Sequence, residues 1–408
     1  MEMIFDKARA EDYDDVVDFA NYVFAHAHRP FDFPTLLPKL FKPEYFMDGT
    51  HYLAREGGKI KALVGSYPLE MRFSRKSPDE PGNRVSVPGR GIGTVSVHPY
   101  SRSKGYMKAL LKMAIEDMRR DGAVFSCLGG QRQRYEYFGY APAGSVYAFT
   151  CNDTNIAHTL GRRWDTGLSM EKLSVPGSMP GNGAALDQIH AMHESKCAYL
   201  YRSRDRLFET LSSWGAEIFV VTERGRFEGY LVHEHRAEGS VISEINMEDL
   251  SRLPEVIGLF LRGRKGQNTN VWVGPHEPEK IARLSGFAEG YIQRPAYQFA
   301  VFDHARFADP FVKLKAEQGR TREGAFLFRV EDKELGIDSR VRLRVGGNDT
   351  GVFADSSGEA PAVTMTAVEA TGFLACPATA MTLPAIRENE FLRDILPLPV
   401  FWENADGV

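Results

Sequence analysis

Between residues 95 and 107 the chain places an arginine, a lysine and a glycine where a strand gives way to a helix. Gly91 to Val97 is rich in strand-forming residues. Pro99-Tyr100-Ser101-Arg102-Ser103-Lys104-Gly105 cannot be regular strand, and a helix begins at Tyr106. Such a loop can hold phosphates, because backbone N–H groups and the helix dipole direct positive potential into it. Arg102 and Lys104 add mobile cations, and Gly105 permits close approach of backbone to phosphate. The chemistry would be capture of a pyrophosphate. The P-loop pattern G-x-x-x-x-G-K-[ST] is absent. A dinucleotide fingerprint is also excluded, since Gly89, Gly91 and Gly93 lie before the strand's end rather than between strand and helix. Taken alone, the segment also reads as a basic turn in solvent.

The remaining reactive residues are scattered. His98 follows the strand and reads as a base or as a surface histidine. His190 and His193 have helical i, i+3 spacing but no third ligand, so no metal is expected. His233 and His235 alternate on a strand around Glu234 and read as surface residues. Cys127, Cys151, Cys197 and Cys376 show neither C-x-x-C nor a disulfide spacing and are expected to be reduced.

The elements that must position these residues follow from periodicity. The helix after the loop buries Met107, Leu110, Leu111, Ala114, Ile115 and Met118 at i, i+3, i+4, i+7, i+8, i+11 and ends at Arg119-Arg120-Asp121-Gly122. Ahead of it stand a short strand at Ile4-Phe5, a helix from Ala10, and strands at 51–55 and 60–73 joined by Glu56-Gly57-Gly58-Lys59. Residues 74–90 read as a loop. A buried strand at 123–128, a short helix at 131–137 and a strand at 146–151 follow. A polar linker is expected near 152–186. A second α/β region has helices at 186–199, 204–211 and 249–261, with strands at 217–222, 229–234, 241–246 and 270–273. It repeats the layout of the first region without an R-x-x-G loop, so it is not expected to bind the same ligand. A third region from about residue 294 holds a strand at 297–301, a helix at 307–317, three short strands and two further helices.

Composition narrows the function. Hydrophobic residues make up 43% and charged residues 25%, as in an ordinary folded protein. A net charge of -4 with no long basic run argues against nucleic acid as partner. The N-terminal stretch is acidic where a signal peptide needs positive charge, and no stretch is long enough to span a bilayer. A cytoplasmic protein without a membrane partner is expected.

The whole pattern V-x-V-x-P-x-x-R-x-x-G from Val95 to Gly105, followed by an amphipathic helix, resembles motif A of the GNAT acetyltransferases. Downstream, Arg134-Tyr135-Glu136-Tyr137-Phe138-Gly139-Tyr140-Ala141-Pro142 resembles the Y-x-x-F-G-Y-x-P segment of the enhanced intracellular survival (Eis) acetyltransferases. The resemblance implies a mixed α/β and α+β fold: two tandem GNAT-like mixed-sheet domains, then a sterol-carrier-protein-like α+β domain. Applied to this chain, that gives a catalytic domain over 1–152, a degenerate GNAT-like domain over 153–293 and the third domain over 294–408. It implies acetyl-CoA as acyl donor. Val95 and Val97 would pair with pantetheine, while Arg102, Lys104, Gly105, Tyr106 and Met107 would cradle the pyrophosphate. Many GNAT members carry Gly or Ala where Met107 stands.

The resemblance also assigns chemistry. Tyr135 takes the position of the general acid, although Tyr137 and Tyr140 are equally eligible by residue type. The terminal carboxylate, here on Val408, takes the position of the base, with Phe401 and Trp402 to anchor the tail. Eis chains end in an aromatic residue, and this one ends Asp406-Gly407-Val408. The acceptor wall would include His26 and His28. Aminoglycoside-acetylating Eis enzymes place acidic residues there, so a polycationic acceptor is not expected. The implied partner is a small-molecule amine or a lysine side chain, and the implied assembly is a homo-oligomer, a hexamer in that family. The competing readings are a transferase using another acyl-CoA, or a non-catalytic lipid-binding or scaffold protein.

Overall fold

The computed structural model describes residues 3–27, 30–74, 84–161, 167–174, 182–237, 239–262, 264, 266–319, 321–346 and 349–408. The N-terminal half begins with strand β1 (Met3–Lys7) and helix α1 (Tyr13–Ala27). Strands β2 (His51–Glu56), β3 (Lys59–Ser74) and β4 (Arg84–Val97) follow, then helix α2 (Tyr106–Arg120) and strand β5 (Phe125–Leu128). β1 to β4 pair antiparallel in sequence order, and β5 joins β4 in parallel. Alternation along the strands assigns their two faces. Tyr52, Ala54, Ala62 and Val64 pack under Leu110, Leu111, Ala114, Ile115 and Met118 of α2. Leu53 and Leu63 point the other way, against Val16, Phe19 and Val23 of α1. The apolar stripe read from the sequence is therefore the buried face of α2 from Leu110 onward, while Met107 is only partly buried. Each fully buried Val, Leu or Met among them contributes about 1.5–3 kcal/mol.

Sheet membership does not follow chain order. The first sheet continues past β5 with the strand Tyr297–Val301 and then Ala141–Ala143, and Ala198–Leu200 pairs with β3. The strand Val146–Cys151 lies instead in a second, seven-stranded sheet between Gly290–Arg294 and Thr269–Val273. The expected boundary at 152 thus falls after the chain has changed sheets, and the strand expected to open the third region completes the first. Burial explains the exchange: Phe299 is fully buried among Phe125, Phe307 and Trp402. A third sheet of four strands, Gly351–Ala354, Ile337–Val345, Gly324–Asp332 and Val363–Met365, packs with the helices His304–Glu317 and Ala367–Ala375.

Three local expectations change. Of the expected loop at 74–90, residues 75–83 lie outside the described residues, and 84–90 are strand, in register from Ser74↔Arg84 onward. Phe125 requires glycine there, because a Cβ on Gly89 would lie 2.4 Å from its ring. The linker near 152–186 contains the helix Asp153–Leu160, capped by Asn152, and the edge strand Leu168–Lys172. The helix expected to reach residue 199 ends at Glu194. Lys196 then turns inward to ion pairs with Glu244 and Glu403, and Ala198–Leu200 becomes strand. Among the described residues no helix is long and apolar enough to cross a membrane, and the four cysteines form no disulfide with one another.

Candidate active site

β4 is the site's spine. Its pairing with β5 stops at Ile92↔Leu128. Beyond it the strand bulges: the register against β3 shifts between Leu63 and Gly65, and Thr94 sits at φ 53°. From Gly93 to Val97 no described strand pairs on the β5 side, so backbone N–H and C=O groups face an open gap. The bulge is held from within. The Tyr67 hydroxyl bonds to Thr94 Oγ1 and to His51 Nε2, both at 2.9 Å, and burial pulls His51 down to about 3, so its ring is neutral. Nothing in the sequence marked these three residues.

The loop after β4 makes a 3-10 turn at Pro99–Ser101 and two left-handed steps, Ser103 at φ 64° and Gly105 at φ 82°. Gly105 is there for that angle, since the space beside it is empty. It is the N-cap of α2 and has no side chain with which to bond the helix amides, so these remain available. The first turn of α2 contains no acid and carries Lys108. A cation opposes the helix dipole there, which is the signal the sequence offered for an anion at this end. At the turn Leu250–Arg252 that leads into the helix Leu253–Arg262, by contrast, Asp249 caps the start by accepting a hydrogen bond from the Ser251 amide at 2.8 Å.

Around this gap lies a cavity of 820 Å³. Val95, Val97, Arg102, Gly105, Tyr106 and Met107 line it, together with Tyr135. Ser96, Ser101, Ser103, Lys108, Gln131 and Arg134 also line it and were not foreseen. Lys104 does not: its ammonium lies 4.0 Å from Glu56 and leans toward the Tyr106 ring. No carboxylate is among the lining residues, and Arg102, Lys108 and Arg134 supply positive charge, which fits a polyanionic ligand.

The three tyrosines separate clearly. Tyr137 is 81% exposed. Tyr140 is fully buried, its hydroxyl tied to Ser126 Oγ at 2.7 Å. Tyr135 is 7% exposed, packs near Gly130, and faces the cavity. Among the described residues nothing bonds its hydroxyl. Burial raises its pKa above the ordinary tyrosine value, with Arg134 opposing weakly, so the proton stays on.

The last residue reaches the same strand. A Cβ on Gly91 would lie 2.6 Å from Val408 Cγ2, and one on Gly93 would lie 2.9 Å from the Val408 carboxyl carbon. These glycines, already excluded as a dinucleotide fingerprint, make room for the end of the chain. Trp402 is buried against Tyr297 and Phe299, and Phe401 is buried near His276. Val408 packs in one aromatic cluster with Phe33, Phe41 and Phe24, and Phe24 also lines the cavity.

The expected acceptor wall differs. His26 is exposed in the last turn of α1, with its ring 6.4 Å from Tyr22, and does not line the cavity. Solvation of an imidazole at a helix end accounts for this. His28 lies outside the described residues. Val23 and Phe24 of α1 occupy the wall instead. His98 stacks on Tyr22, and burial, then Lys61 and His26, lowers its pKa.

The other histidines are structural or peripheral. His190 and His193 each direct Nε2 at a backbone carbonyl, of Arg202 and Leu200. His233 is buried, contrary to expectation, because its ring bridges Glu217 and Ser240 across neighbouring strands. With Glu217 and His235 it forms a group whose ligating atoms lie within 4.8 Å of one another, although Lys172 also holds Glu217.

Residues 5–143 match the acetyltransferase (GNAT) domain. The fold is similar to a GCN5-related N-acetyltransferase from Kribbella flavida, with TM-score 0.66 and 14% identity over 98% of this chain and 99% of that one. A GCN5-related N-acetyltransferase from Anabaena variabilis gives 0.65 and 15% over the same shares. Eis1 from Mycobacterium abscessus gives 0.59 and 16% over 91% of this chain and 89% of that one. At such identities the likeness is one of fold. No curated protein matches the sequence. Residues 5–143 thus form a GNAT acetyltransferase domain, and the whole chain has a mixed α/β architecture similar in fold to these proteins.

Proposed function

We propose that the chain is an Eis-like N-acetyltransferase that moves an acetyl group from acetyl-CoA to an amine by direct attack. The observation that carries the reading is the single cavity on which an unpaired strand edge, an uncapped helix N-terminus with Arg102, and the Tyr135 hydroxyl converge. Its 820 Å³ suits a large ligand, and donors along its length suit a chain ending in phosphates.

Acetyl-CoA supplies an activated thioester. The protein's own groups do the rest. The β4 edge around Val95 and Val97 binds the pantetheine arm, and its N–H groups hold the developing oxyanion. Arg102, Gly105, Tyr106 and Met107 hold the pyrophosphate, with Lys108 taking the part expected of Lys104. The Val408 carboxylate accepts the proton of the attacking amine, and Tyr135 gives its phenolic proton to the departing sulfur. The C–N bond forms as the C–S bond breaks, and no covalent enzyme intermediate arises. The acceptor is a small amine or a lysine side chain entering past Val23 and Phe24.

Two measurements check the parts separately. Equilibrium binding of acetyl-CoA to the wild type and to Arg102→Ala tests the cradle. Loss of a charge-assisted contact weakens binding about ten- to hundredfold; equal affinities, or no binding by the wild type, contradict it. Gly93→Ala tests the tail. The added methyl meets Val408 backbone at 2.9 Å and must push the carboxyl group off β4. It lowers kcat on the order of a hundredfold with acetyl-CoA affinity unchanged. An unchanged kcat counts against the tail's role.

A further inference from the structure

The end of the chain is gripped by two buried cations from distant segments. Lys39, in the helical turn Pro38–Phe41, is 7% exposed and donates from Nζ to the Ala405 carbonyl at 2.5 Å and the Gly407 carbonyl at 2.7 Å. Arg202, just beyond the strand Ala198–Leu200, is 2% exposed. Its Nε and Nη2 donate to the two Asp406 oxygens at 2.8 and 2.9 Å, while Nη1 and Nη2 donate to Glu244 at 3.2 and 2.9 Å.

Burying a charge is costly, and a buried ion pair contributes little net stability compared with apolar packing. A chain end that needed only to stay folded could use more residues like Trp402. Charged, directional bonds are suited to fixing position instead. Their placement is telling: Lys39 holds the carbonyl immediately before Val408, and Arg202 holds the side chain before that. Val408 alone lies beyond these two holds, packed with Phe33 and Phe41, and its carboxyl carbon lies over Gly93. Burial pulls the Lys39 ammonium down to about 8 while Asp406 pulls it up, so it remains a charged donor at neutral pH.

We infer that Lys39 and Arg202 are positioning residues for acyl transfer, which fix the Val408 carboxylate against β4 by holding Gly407 and Asp406. This rests on the reading of Val408 as the base, and the test separates the two. On the full-length protein, carboxypeptidase Y release of Val408 reports docking and steady-state kinetics report chemistry. Lys39→Met is expected to speed release about tenfold or more. It lowers kcat on the order of a hundredfold, with KM for acetyl-CoA unchanged, and Lys39→Arg restores part of both. Wild-type release from Lys39→Met overturns the inference. Fast release with wild-type kcat overturns the role of Val408 instead. Acetyl-CoA binding by the variant verifies its fold. Should it fail that check, Asp406→Asn, which keeps shape and removes the negative charge that Arg202 grips, is read by the same outcomes.

Discussion

Tyr135→Phe lowers kcat by about 10²- to 10⁴-fold, the range a positioned general acid contributes, and leaves KM for acetyl-CoA near its wild-type value. The substitution removes one oxygen. The ring that packs near Gly130 and against Tyr140 stays, so folding is preserved. What is lost is a proton that burial keeps on the phenol and that no described neighbour claims. The flanking tyrosines are internal controls. Tyr137→Phe leaves kcat unchanged, because that side chain stands in solvent. Tyr140→Phe breaks the bond to Ser126 and affects stability, not the chemical step. Steady-state kinetics on the three variants check this. Equal kcat for wild type and Tyr135→Phe removes Tyr135 from the mechanism.

Adding two residues after Val408 has an effect of similar size. The carboxyl carbon lies against β4 at Gly93, where even a methyl group has no room. An extension turns that carboxylate into a neutral amide and carries the new one elsewhere. Deleting Val408 has the same sign, since the remaining carboxylate ends about 3.8 Å, one Cα step, further back. Loss of a general base costs about 10²- to 10⁴-fold in kcat. Acetyl-CoA affinity is unaffected, because the cradle lies on the α2 side of the bulge. An extended chain with full kcat places the base elsewhere.

The parts of the fold legible in the sequence are those set by local pattern. The stripe from Leu110 to Met118 and the glycine at 105 give α2 and its uncapped start directly. The exchange of Val146–Cys151 and Tyr297–Val301 between sheets was not legible. Short apolar strands look alike whichever sheet they join, and the pairing is decided by partners far away in the chain. Residues 84–90 read as loop because of their glycine and proline, yet Gly89 is small to admit the Phe125 ring. Within the site, the loop and Tyr135 were legible because family spacing marks them. Lys39 and Arg202 were not, because an isolated basic residue reads as solvated until its burial is seen.

The central claim is tested most directly by CoA release with acetyl-CoA and a panel of amines, run on wild type, Tyr135→Phe and the chain extended past Val408. The account predicts amine-dependent release by the wild type and a fall of about 10²-fold or more in both altered proteins. Identical rates in all three, or no release by the wild type with any amine, would contradict it.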